Sequence, residues 1–144
     1  MKRIIAFVAG VSAFVFSACA DDRPCTFEQL PDEAKAFVNS TYQGVEVMYV
    51  TKDDDIFRPD YNVMLTNGII MEFSHSGSLK KIEAKKGSIS PALIPEGIRK
   101  FVDMHYPDAE YVEYEIGRKT YEVKLSNRLE LKFNSAFHII EVDD

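Results

Sequence analysis

Four aspartates crowd one short stretch, "TKDDDIFRPD", at positions 53, 54, 55 and 60. Carboxylate oxygens are hard ligands, so Asp53, Asp54, Asp55 and Asp60 form a candidate site for calcium. The stretch lacks the sixth-position glycine and the closing glutamate of a helix-loop-helix calcium loop, and a solvated acidic loop ending a strand competes with the metal reading. His75, His105 and His138 have no spacing that makes a metal set. Ser74-His75-Ser76 puts a hydroxyl beside an imidazole, but it runs into Gly77 and reads as a turn. Gly-x-Ser-x-Gly, a phosphate loop and a dinucleotide fingerprint are all absent. The expectation is a protein that is not an enzyme and needs no cofactor, with calcium as the alternative.

A second constellation is apolar. Met48, Met64 and Ile70 are large side chains that fall off the expected inner face of their strands. Glu72 lies on the same outer face, and Tyr114 sits on a strand that reads in either register. Together Met48, Met64, Ile70, Glu72 and Tyr114 are the candidate contact set for a protein partner. Cover by a neighbouring loop is the competing account of the three apolar residues.

The elements that would position these residues begin after a separate leader. Met1-Lys2-Arg3 is positive, Ile4 to Phe16 is apolar, and Ala18-Cys19-Ala20 fits a small-x-small cleavage site. That is a secretory signal, too short for a permanent membrane span. "FSAC" (Phe16 to Cys19) also approaches a lipobox, in which Cys19 would carry a lipid anchor. The two readings predict a periplasmic or secreted protein, or alternatively an outer-membrane lipoprotein. Removing Lys2 and Arg3 takes the formal charge from −6 to −8, since residues 1–20 hold no acid. That balance excludes nucleic acid as a partner. Cys25 is then the one cysteine past the leader, which excludes a disulfide framework; it reads as a thiol in a mobile tail.

Past the leader the chain says things twice. "YNVMLTNGIIMEF" (Tyr61 to Phe73) matches "YEVKLSNRLELKF" (Tyr121 to Phe133), and "LPDEAKAFVNSTY" (Leu30 to Tyr42) matches "IPEGIRKFVDMHY" (Ile94 to Tyr106). Leu30, Ala34, Phe37, Val38 and Tyr42 make the stripe of a helix buried on one face, and Ile94, Ile98, Phe101 and Val102 repeat it. A three-residue loop at Thr66-Asn67-Gly68 pairs Leu65 with Ile69, Val63 with Met71 and Tyr61 with Phe73, so that all six face one core. Gly68 would take the left-handed conformation, and Arg128 stands in its place in the second hairpin. Flanking strands complete the pattern: an α+β fold, a tandem repeat of a helix plus a four-stranded antiparallel meander. Residues 1–20 are the signal peptide, 21–86 the first unit and 87–144 the second.

The order "TFEQLPDEAKAFVNSTY", "YNVMLTNGIIMEFSHSG", "KKIEAKKG", "IPEGIRKFVDMHYPDAEYVEYEI" and "YEVKLSNRLELKF" resembles the β-lactamase-inhibitor-like, PepSY-like proteins exported by Bacteroides-type bacteria. The resemblance implies a fold akin to the β-lactamase inhibitor protein, with a concave sheet surface. It also implies association with peptidases or other envelope enzymes, which such a module binds or restrains. No catalytic residues come with the family. Arg128 and Phe137 depart from its pattern, standing where glycine-containing turns are usual.

Overall fold

A computed structural model describes residues 22–144. The leader, its cleavage site and Cys19 lie outside them. Nine strands run in chain order: β1 (Asp22–Cys25), β2 (Val47–Asp53), β3 (Tyr61–Leu65), β4 (Ile69–Phe73), β5 (Leu79–Ala84), β6 (Tyr111–Ile116), β7 (Thr120–Leu125), β8 (Glu130–Asn134) and β9 (Ile139–Asp143). Two helices interrupt them, α1 (Asp32–Thr41) before β2 and α2 (Glu96–His105) before β6. Pro31 and Pro95 stand at the two helix starts, where a missing N–H costs nothing.

The expected tandem of two helix-plus-meander units is corrected here. All nine strands join one antiparallel sheet in the order β1 to β9, so the molecule is mostly β with two short helices. The join is β5 against β6, with Lys81, Ile82 and Glu83 opposite Glu115, Tyr114 and Glu113. Left apart, β5 and β6 would each be an edge with unpaired N–H and C=O groups; together they satisfy each other. Cys25, expected in a tail, is instead in β1 opposite Val50. Burial raises its thiol pKa, against a smaller lowering by Lys52.

One apolar row explains why the sheet is continuous. Val50, Val63, Met71, Ile82, Tyr114, Val123 and Leu131 are successive cross-strand partners from β2 to β8. Each is buried, and they belong to a single core with α1 and α2. Phe37 of α1 meets Phe73 edge-on at 5.8 Å, and Phe101 of α2 meets Phe133 in the same way at 5.5 Å. The helices therefore cover the face that carries this row. The segment between β5 and α2 is tied in as well: Ile89 is buried and donates its N–H to the Tyr111 carbonyl at 2.8 Å.

The hairpins keep the expected register. Tyr61 faces Phe73 and Val63 faces Met71; Tyr121 faces Phe133 and Val123 faces Leu131. Gly68 has φ +92° and Arg128 φ +77°, so both three-residue loops close through the left-handed region. Two further turns differ in an instructive way. Gly77 (φ +99°) lies under the start of α1, where a Cβ would come within 3.0 Å of Glu33 Cβ. Phe137 (φ +65°) takes the matching turn position before β9, and there the glycine is on the helix: a Cβ on Gly97 would meet Phe137 Cβ at 2.7 Å.

Candidate functional site

The end of β2 and the β2–β3 loop hold the four aspartates, and each carboxylate has its own task. Asp53 accepts the Asp55 N–H at 3.1 Å. Asp55 accepts the N–H groups of Phe57 and Arg58, both at 3.0 Å, and these bonds lower its pKa. Asp54 pairs with Arg23 of β1. Asp60 pairs with Lys80 of β5, and that hydrogen bond raises the lysine's pKa. Asp54 and Asp60 thus brace the loop against β1 and β5, while Asp53 and Asp55 fold its own backbone. Among the described residues no group of three or more side chains is gathered to hold a metal ion.

The braced loop lifts two side chains that the sequence reading passed over. Ile56 and Phe57 are each 87 % exposed at its tip. The signal was their position inside a run of acids, where an apolar pair has no core to serve.

The face opposite the helices carries two rows. One begins with Tyr49, Met64 and Ile70 as neighbours on β2, β3 and β4, and continues into Glu83, Glu113, Lys124, Glu130 and Asp143. The other starts at Pro24, Thr51 and Asn62 and passes through Glu72 and Lys81 to Glu115, Glu122, Lys132 and Glu141. The first row turns from apolar to charged at β5, and the second turns from neutral to charged one strand earlier, at Glu72 of β4. Lys81 bridges to Glu113 at 3.0 Å, Lys124 to Glu130 at 3.3 Å, and Lys132 to Glu141 at 3.2 Å. Glu72 is half-buried at the boundary. Burial raises its pKa, opposed by Lys80 and Lys81.

Met64, Ile70 and Glu72 therefore share this open face, as expected from the sequence. Met48, 55 % exposed, is the bulged residue between the Val47 and Tyr49 pairings, at the margin of the patch. Tyr114 is corrected. It is only 4 % exposed and faces Ile82 and Val123 in the core row, so it is no contact residue. A second bulge, between Tyr111 and Glu113, sets its direction. Tyr49 takes the place meant for Tyr114, at 49 % exposure. With Asp22, Pro24, Thr51, Asn62 and Ile70 it lines a shallow cavity of about 380 Å³.

The three histidines stand apart. His75 is in the β4–β5 turn and His138 in the β8–β9 turn. His105 ends α2, stacked on Phe101 at 4.2 Å with Nδ1 3.0 Å from the Phe101 carbonyl.

The chain matches the family described as "Putative beta-lactamase-inhibitor-like, PepSY-like" over residues 59–141. Among solved structures it is similar to a "putative calcium-regulated periplasmic protein" of Bacteroides thetaiotaomicron, at 36 % identity and a TM-score of 0.81, covering 85 % of this chain and 97 % of that one. A "putative periplasmic protein" of the DUF2874 family from Bacteroides vulgatus is 35 % identical, with a TM-score of 0.81 over 86 % and 98 % of the two chains. A "putative periplasmic protein of unknown function", also from Bacteroides vulgatus, is 29 % identical, with a TM-score of 0.79 over 85 % and 99 %. No curated protein matches. Among the described residues no helix is long and apolar enough to cross a membrane.

Proposed function

The chain belongs to the beta-lactamase-inhibitor-like, PepSY-like family, and from that premise we propose that it is a non-enzymatic periplasmic module that binds a protein through the open face of its sheet. A peptidase or another envelope enzyme is the kind of partner that the family's name favours. The observation that carries the reading is the apolar end of the open face: exposed Tyr49 side by side with half-buried Met64 and Ile70, at the cavity that Pro24 and Thr51 help to line. Isolated exposed apolar residues need no explanation, but a contiguous set on a sheet otherwise paved with charge does. A photo-crosslinker at Tyr49 in living cells, followed by mass spectrometry, tests it. One defined protein adduct is expected, lost when Met64→Asp and Ile70→Asp are added. Adduct formation indifferent to that pair would remove this face from the account.

A second reading is favoured by one observation, the relative described as calcium-regulated. On that reading Asp53, Asp54, Asp55 and Asp60 give up their bonds to Arg23, Lys80 and the loop backbone to take an ion. A ligand that binds only the folded state raises its melting temperature by mass action. Millimolar calcium should then raise the Tm of this chain and leave an Asp53→Asn, Asp55→Asn variant unmoved. Equal shifts in both would dismiss the loop as the site. The periplasmic part of the reading rests on the apolar leader and on relatives described as periplasmic; intact mass of the chain recovered from cells separates cleavage after Ala20 from a lipid on Cys19.

A further inference from the structure

The sheet has two edges, and they are not alike. β1 is four residues long and carries Pro24, which has no N–H to offer a new strand. β9 is five residues long, holds no proline, and has only β8 beside it among the described residues. Its outer N–H and C=O groups face solvent along an exposed strand.

The side chains beside that edge make a pattern. On the open face Glu141 and Asp143 project beside Glu122, Glu130 and Lys132, around a polar cavity of about 290 Å³. With Lys124, which bridges Glu130, the count is four carboxylates against two ammonium groups. On the helix-covered face Val142 pairs with the fully buried Leu131, yet it is 48 % exposed, since among the described residues no strand lies outside it. The edge thus offers backbone hydrogen bonds, an excess of negative charge above and an apolar flank below.

We propose that β9 takes an extended peptide segment as a tenth strand, one in which Lys or Arg alternates with Val or Ile. Period-two alternation puts the cations over Glu141 and Asp143 and the β-branched residues over Val142. A second copy of this chain is the wrong occupant. Antiparallel pairing of two β9 strands keeps each open face on the same side, so Glu141 and Asp143 would meet their own counterparts, and like charges opposite one another are destabilising. The site is remote from Tyr49, Met64 and Ile70, and it stands whether or not that patch binds a protein.

The test uses a fluorescein-labelled peptide of four Lys-Val repeats at low ionic strength. Anisotropy should report saturable binding, and hydrogen exchange should slow in residues 139–143. Four Glu-Val repeats, and the Lys-Val peptide with alternate backbone nitrogens methylated, should each bind at least tenfold more weakly. A Glu141→Lys, Asp143→Lys variant should lose at least tenfold with unchanged Tm, while Met64→Asp, Ile70→Asp leaves binding intact. Absent binding, equal binding of the methylated peptide, protection away from β9, or dimerisation through β9 would each overturn the proposal.

Discussion

Two residues sit in conformations or surroundings that cost energy, and each can be read out. Arg128 holds φ +77° where Gly68 holds φ +92°. A non-glycine residue pays about 1 kcal/mol in that region. Arg128→Gly should therefore stabilise the protein by up to about 1 kcal/mol, while Gly68→Val should cost more than about 1 kcal/mol, both seen in urea midpoints. Tyr111 is a different case. Its hydroxyl is buried with no partner, and a buried unsatisfied group costs about 1–3 kcal/mol. Tyr111→Phe keeps the ring and removes the orphan, so the midpoint should rise. Burial, helped by Asp103 and opposed by Arg99, pushes the Tyr111 pKa up to about 12; burial, with Tyr121, does the same for Tyr114. An unfolded tyrosine ionises near 10. Both residues therefore contribute stability that is full below pH 10 and lost as pH rises toward 12. A Tyr111→Phe, Tyr114→Phe protein should show a flatter alkaline limb when midpoints are measured from pH 9 to 12.

Among the elements, the hairpins were legible and the strands before them were not. Tyr61 to Phe73 and Tyr121 to Phe133 alternate cleanly, and a three-residue loop is the one that puts both apolar sets on one face, so register followed from the letters. In β2 and β6 a bulge inserts a residue and reverses the alternation partway along. Alternation alone cannot say where the extra residue falls, which is why Tyr114 read as ambiguous and proved to be core. The pairings of the acidic loop were hidden for another reason. Composition shows four carboxylates but not the Arg23 and Lys80 that claim two of them, since those arrive from β1 and β5. The two helix–turn crossings make a sharper test at this scale. Gly97→Ala would gain about 1 kcal/mol of helix propensity, yet its Cβ would strike Phe137 Cβ at 2.7 Å. Overpacking of that kind costs about 1–3 kcal/mol. Gly97→Ala should be net destabilising, and less so in a Phe137→Gly background, so that the double variant loses less than the sum of the two single variants.

At the scale of the molecule, the β5–β6 seam turns two stretches that read alike into one sheet over one core. The seam was invisible in the sequence because similarity between two segments says nothing about whether their edges meet. Ile82 lies on it, fully buried between Met71 and Tyr114. Ile82→Ala should cost about 2–5 kcal/mol. Because the core is continuous, the loss should shift far-ultraviolet and tyrosine signals together, as a single transition. Separate transitions would mean that the seam carries little of the cooperativity. The paired crossings also bear on how such a gene can be reshuffled. Similar stretches invite unequal recombination, and a recombinant that exchanged the helices would set a glutamate against Phe137 at one crossing and glycine against glycine at the other. One crossing is jammed and the other hollow. The two glycines, each on the opposite side of its crossing, make the halves of this chain non-interchangeable, a barrier to homogenisation set by where one Cβ fits and another does not.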